Sequence, residues 1–227
     1  MNVFRRVFAV LLSSVLFLGM VTVNDSQVEA KGNVEVTAKY LKDGTVLVKA
    51  KNKSGSNVDI DFVVTCYDKN KSNLGTMKGE FNYMPNKAVW YESFYDWEVK
   101  EGTSNVKVDY TVNNNDSSYN MGYYKSIDSK KFSVEVVSNI QHSDEYFPYT
   151  ETTVKVKNKT NKTVNGYAVI LLYNKDTLVG SHMFDMNNVN AGGSKLDTIT
   201  LGSIVSNGSG LINVTKAKLV QHSVYPK

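Results

Sequence analysis

The 227 residues include one cysteine, three prolines and two arginines. Cys66 has no second cysteine to pair with, so no intramolecular disulfide can form, and the domains must bury enough apolar surface to do without one. Domains of roughly 100 residues can do that. Placed among apolar neighbours, Cys66 is expected to be a small buried hydrophobe rather than a nucleophile. Both arginines, Arg5 and Arg6, lie at the very start. The rest of the chain has no guanidinium to grip phosphates or guanine, and its lysines are scattered on alternate strand positions. With a net charge of only +4, nucleic-acid binding is not expected. Beyond Val23 no apolar run approaches the ~18 residues of a membrane span, so no membrane insertion of the mature chain is expected.

The first residues have the pattern of a secretory signal peptide. Arg5-Arg6 precede the apolar run Val7 to Val23, and Val28-Glu-Ala30 forms a small-x-small cleavage site. Residues 1–30 are therefore expected to be removed. The mature protein would be secreted, extracellular or associated with a cell wall.

What the chain does contain is a long internal repeat. Val48 to Tyr67 returns 106 positions later as Val154 to Tyr173, with eight of twenty positions identical and no gap. Among them are Lys51-Asn-Lys53 and Lys157-Asn-Lys159. A period of that length matches one whole domain, not a solenoid unit. The expected layout is a first domain at 31–112, an Asn/Ser-rich linker at 113–131 and a second domain at 132–227.

Within each copy, β-branched residues alternate with polar ones at a period of two. Val46, Val48 and Ala50 face one way and Leu47, Lys49 and Lys51 the other. Thr152, Val154 and Val156 likewise oppose Thr153, Lys155 and Lys157. The segments Ile60 to Tyr67 and Tyr167 to Tyr173 are nearly continuously apolar, as a central strand would be. Later strands are expected at Ala88 to Val99 and Ser194 to Leu201, closing with Asn105 to Val112 and Leu211 to Val220. Six or seven short strands per copy, separated by polar turns, predict an all-β protein. Its form would be two tandem immunoglobulin-like antiparallel β-sandwiches.

Val64-Thr-Cys-Tyr-Asp68 and Ile170-Leu-Leu-Tyr-Asn174, each downstream of a Lys-Asn-Lys turn, resemble the Phe-x-Leu-Tyr-Asp motif of FxLYD domains. Those are extracellular β-sandwich modules of exported, mostly Gram-positive, bacterial proteins. Val64 and Ile170 stand where the family has Phe, Cys66 where it has Leu, and Asn174 where it has Asp. The resemblance implies an exported accessory or interaction module without catalysis.

Nothing in the sequence assembles a catalytic constellation. His142, His182 and His222 lack a nucleophile motif and metal-ligand spacing, and Asp43, Asp59 and Asp61 lack calcium-loop spacing. No enzyme activity, metal or cofactor is expected. The two copies differ most at Val89-Trp-Tyr-Glu-Ser-Phe-Tyr-Asp-Trp-Glu-Val99, which holds both tryptophans. Matching Trp90 to Leu196 places Trp90 and Phe94 in the core. Tyr91, Tyr95 and Trp97 are left as the candidate ligand-binding residues. They could stack on a sugar, anchor a protein partner, or pack against the linker tyrosines Tyr119, Tyr123 and Tyr124. The expected function is non-catalytic binding of a glycan or protein partner outside the cell. A ligand-free structural spacer is the alternative, and enzyme inhibition a more distant one.

Overall fold

A computed structural model describes residues 26–27, 33–114, 127–143, 148–202 and 211–227. Most of the leader, the linker tyrosines and Tyr146-Phe147 lie outside them. Thirteen strands run through the described residues, with one 3-10 turn at Ser129–Lys131. The first seven are β1 (Ser26–Gln27), β2 (Val34–Tyr40), β3 (Val46–Asn52), β4 (Val58–Tyr67), β5 (Asn73–Met84), β6 (Val89–Phe94) and β7 (Asn105–Asn114). The remainder are β8 (Phe132–His142), β9 (Tyr149–Asn158), β10 (Val164–Asn174), β11 (Thr177–Asp185), β12 (Ser194–Leu201) and β13 (Lys216–Pro226). The minimal strand β1 falls inside the expected leader and pairs with β2 at Ala38 and Thr37.

All pairings are antiparallel, and the two copies share one topology. Sheet β1-β2-β3-β6 faces β5-β4-β7, and sheet β12-β9-β8 faces β11-β10-β13. Each pair of sheets encloses its own apolar core. The alternation read from the sequence holds: Val46, Val48, Ala50, Val154 and Val156 are fully buried, and so is Cys66. The chain is thus two antiparallel β-sandwiches of immunoglobulin-like type.

The repeated Lys-Asn-Lys turn works through its asparagine. Asn52 and Asn158 are both fully buried. The Asn52 amide donates to the carbonyls of Ser56 (2.9 Å) and Met84 (3.0 Å), while its Oδ1 accepts from the Ser54 N–H and hydroxyl. Asn158 repeats this with Lys162 (2.8 Å), Val189 (3.0 Å) and Thr160. One side chain thereby folds its own turn and ties it to a distant segment, satisfying main-chain groups that burial would otherwise leave unpaired.

One facing pair of core residues is reversed between the copies. Phe62 lies across from Gly79 in the first, and Ala168 across from Phe184 in the second. Large and small have exchanged strands. A Cβ on Gly79 would come within 2.4 Å of the Phe62 ring.

Three expectations need correction. The late strand of the first copy stops at Phe94, because residues 95–99 form a tight turn. The Glu98 carboxylate accepts from the Tyr95 N–H at 2.8 Å, and the Val99 N–H turns back to the Tyr95 carbonyl. The closing strand of the second copy starts at Lys216, not Leu211. Ile212 and Val214 still enter the core, but the Thr215 hydroxyl accepts from the Lys175 N–H and pins the chain before the strand begins. Finally, the outer face of β3 is not solvated throughout. Leu47 is buried because the second sandwich covers it.

That covering is extensive. The outer face of β6 lies against β10, β11 and β13. Leu41 and Leu47 pack with Val169, Leu171 and Val220 in a third apolar cluster, flanked by Tyr91, Tyr173, Leu178 and Met183. The near-continuous apolarity of β10 thus has two causes, a core on one face and the other sandwich on the opposite face.

Replacing Asn52 or Asn158 by Ala should each lower stability by about 3 kcal/mol in urea unfolding, since buried carbonyls lose their donor. Asn57→Ala, at an exposed position of the same turn, should stay within about 0.5 kcal/mol. A cost below about 1 kcal/mol for both buried asparagines would contradict the pinning role.

Candidate functional site

The aromatic segment divides between three environments. Trp90 and Phe94 point into the first core, each 7% exposed. Trp90 pairs with Ala50, and the residue at the same place in the second copy is Lys195, opposite Val156. The match of Trp90 to Leu196 is therefore off by one, and Leu196 lies on the surface at 59% exposure. The inward assignment of Trp90 stands on its own pairing. Tyr91 sits half-buried at the junction against the second sandwich, and burial raises its phenol pKa.

Tyr95 and Trp97 leave the strand together on the 95–99 turn. Their rings stack at 4.2 Å with planes 8° apart. Trp97 is nevertheless 73% exposed, the most open large apolar side chain among the described residues. The turn holds it through the Asp96 carboxylate, which accepts from the Trp97 N–H at 2.9 Å. Tyr95 also meets the second sandwich, its ring edge-on to His182 at 5.9 Å. His182 in turn bonds Asp197 through Nε2 at 3.0 Å. Tyr167, 47% exposed, acts on the Tyr95 phenol along with the Glu98, Asp197 and Glu92 carboxylates, though burial is the main cause of its raised pKa. The site therefore draws Tyr95, Trp97, Glu92 and Glu98 from one sandwich and Tyr167, His182 and Asp197 from the other.

The sequence alone assigns His182 no role. It lies within β11, opposite Ile170. Its link to Asp197 could have been seen only by pairing β11 with β12 across the open edge of the sandwich. The same edge of the first copy carries Met77 opposite Val64 and Glu92 opposite Val48. Glu92 thus occupies the place of Asp197, and Met77 the place of His182. Burial, then the charge of Glu98, pushes the Glu92 carboxyl up to about 7.

The His182–Asp197 pair orients an imidazole, as general-base sites do, but the neighbouring hydroxyl does not serve it. The Ser181 hydroxyl faces away from that pair into the junction, 2.7 Å from the Ser93 hydroxyl. His142 pairs with Glu151 at 3.0 Å and stacks on Tyr149, on a different strand pair. Among the described residues no group of three or more His, Cys, Asp and Glu side chains could hold a metal. An open groove on the outer face of β4, β5 and β7, lined by Asp61, Lys78, Glu80 and Asp109, offers mixed charge without an exposed aromatic.

No family model matches the chain, and no curated protein does. A solved structure, red sea bream transglutaminase, aligns over 76% of this chain at 12% identity with a TM-score of 0.24. The chain spans 27% of that protein's length.

A carboxyl whose pKa is raised in the folded state binds its proton more tightly there than in the unfolded chain. Its stabilising contribution is present below the ordinary value and is lost as pH rises through about 7. Urea-unfolding free energy should therefore fall between about pH 5 and pH 8, and Glu92→Gln should make that fall shallower. An unchanged slope in the Glu92→Gln protein would contradict the assignment.

Proposed function

We propose that this chain is a non-catalytic binding protein that takes a neutral carbohydrate on the Tyr95–Trp97 platform at the junction of its sandwiches. The observation that carries this reading is Trp97. A tryptophan kept flat against a tyrosine, 73% exposed and fixed by a capped turn, is a costly thing to leave in water without a partner. Sugar rings offer an apolar face to such a surface and hydroxyls to its rim. The rim here is acidic, with Glu92, Asp96, Glu98 and Asp197 near the rings, so hydroxyl donors fit it and polyanions such as nucleic acids do not.

The leader-like start and the FxLYD-like strands support placing this activity outside the cell, as an exported bacterial module. The buried junction would equally suit a rigid spacer. Exposure of Trp97 favours binding, because a spacer gains nothing from an open tryptophan.

The test is retention of the chain on an array of neutral envelope and host oligosaccharides, followed by titration of the best ligand. Trp97→Ala should weaken binding about tenfold or more, or ~1.4 kcal/mol, with the thermal transition unchanged. An array without retention, or equal affinity of the variant, would overturn the carbohydrate reading. Retention by a protein in place of any sugar would do the same.

A further inference from the structure

Among the described residues, the most enclosed carboxyl belongs to neither core. Asp43 sits in the Leu41–Thr45 hairpin between β2 and β3, 3% exposed, at the interface of the sandwiches. That hairpin docks on the free edge of β11. The Asp43 N–H donates to the Val179 carbonyl at 3.1 Å, and its Oδ2 accepts from the Ser181 N–H at 3.0 Å. The residue between those two edge groups is Gly180, where a Cβ would meet Oδ2 at 2.3 Å. Only a glycine lets the carboxylate reach the edge.

Oδ1 is bound on its own side by the Thr45 N–H at 3.0 Å and the Thr45 hydroxyl at 2.7 Å. From there a chain of hydroxyls crosses between the sandwiches, Thr45 to Ser181 at 3.1 Å and Ser181 to Ser93 at 2.7 Å. Either oxygen can be the donor at both links. With an ionised carboxylate the hydrogens run from Ser93 through Ser181 and Thr45 to Oδ1. With a protonated one, Asp43 donates to Thr45 and the whole chain turns round. The site can therefore hold the carboxyl in both states, but at different cost.

The surroundings oppose the charge. Burial dominates and raises the Asp43 carboxyl to about 7, against the three bonds that lower it, and Asp96 from the turn after β6 adds like charge. The Tyr40 phenol on β2 also lies within the field of Asp43. β11 and β6 contribute Ser181 and Ser93, while His182 turns to the other face, towards Asp197. No cation is among the groups that act on Asp43.

We propose that Asp43 is a proton-operated latch between the two sandwiches, closed when its carboxyl is protonated and loosened when it ionises. Because the two halves of the aromatic site come from different sandwiches, the latch sets their alignment. It does not depend on what binds there.

The test is amide hydrogen exchange of the full chain, corrected for intrinsic rates, at about pH 5 and pH 9. Protection of Leu47, Val169 and Ser181 should fall roughly tenfold or more in the wild type, while Val64 and Ile170 inside the cores change less. In Asp43→Asn the junction amides should lose clearly less protection between the two values than in the wild type, with only the contribution of Glu92 remaining. Constant protection in the wild type, or the same fall in the variant, would overturn the latch. Should the variant not fold, the carboxyl carbon shift of Asp43 in the wild type decides. Titration in step with the loss of protection supports the proposal, and ionisation without that loss refutes it. No ligand enters these measurements, so their outcome is separate from that of the oligosaccharide array.

Discussion

Between two β-sheets that could each have faced water lies an acidic side chain with three hydrogen-bond donors and no cation among the groups that act on it. That arrangement constrains much of the molecule. It fixes glycine at 180, puts small hydroxyls at Thr45, Ser93 and Ser181, and closes the free edge of β11 that would otherwise offer unpaired main-chain groups to another strand. Around it, Leu41, Leu47, Val169, Leu171 and Val220 exclude water, which makes each bond to the carboxyl stronger and its ionisation costlier. The Tyr95–His182 contact forms only where the sandwiches are joined.

Duplication explains the frame but not this junction. The two copies keep the same buried asparagine and the same order of equivalent strands, and they exchange one large–small pair, Phe62/Gly79 for Ala168/Phe184. The junction uses what they do not share. The first contributes the short Leu41–Thr45 hairpin and the turn bearing Trp97; the second contributes the outer face of β10 and β11. Even the edge carboxylates differ, Asp197 bonding His182 and Glu92 lying largely buried with a raised pKa.

The cores were legible in the sequence because alternation is local: Val46, Val48, Ala50, Val154 and Val156 could be assigned from their neighbours alone. Alternation likewise put Trp90 and Phe94 on one face, but the choice of that face as inward leaned on the match to Leu196, which is off by one. The junction was not legible, because its signals look like something else. Leu47 sits in a polar row and reads as an exception, while Val169 and Leu171 extend a run that a central strand explains already. Asp43 in a Lys-Asp-Gly turn reads as ordinary turn chemistry, and its burial depends on a strand more than a hundred residues away. At the candidate site, Tyr95 and Trp97 were found from the excess of aromatics in one copy. Their orientation did not follow from alternation, since the strand ends before them. His182, Asp197 and Tyr167 were missed because they join the site only across the junction.

The shared site and its latch require the sandwiches to form one body in which the aromatic stack and the histidine pair face a common surface. Residual dipolar couplings measured separately for amides of each sandwich, at about pH 5, test this most directly. A single alignment tensor should fit both sets. Two tensors of clearly different magnitude or orientation would mean that the sandwiches move independently, and the shared site with its latch would not exist.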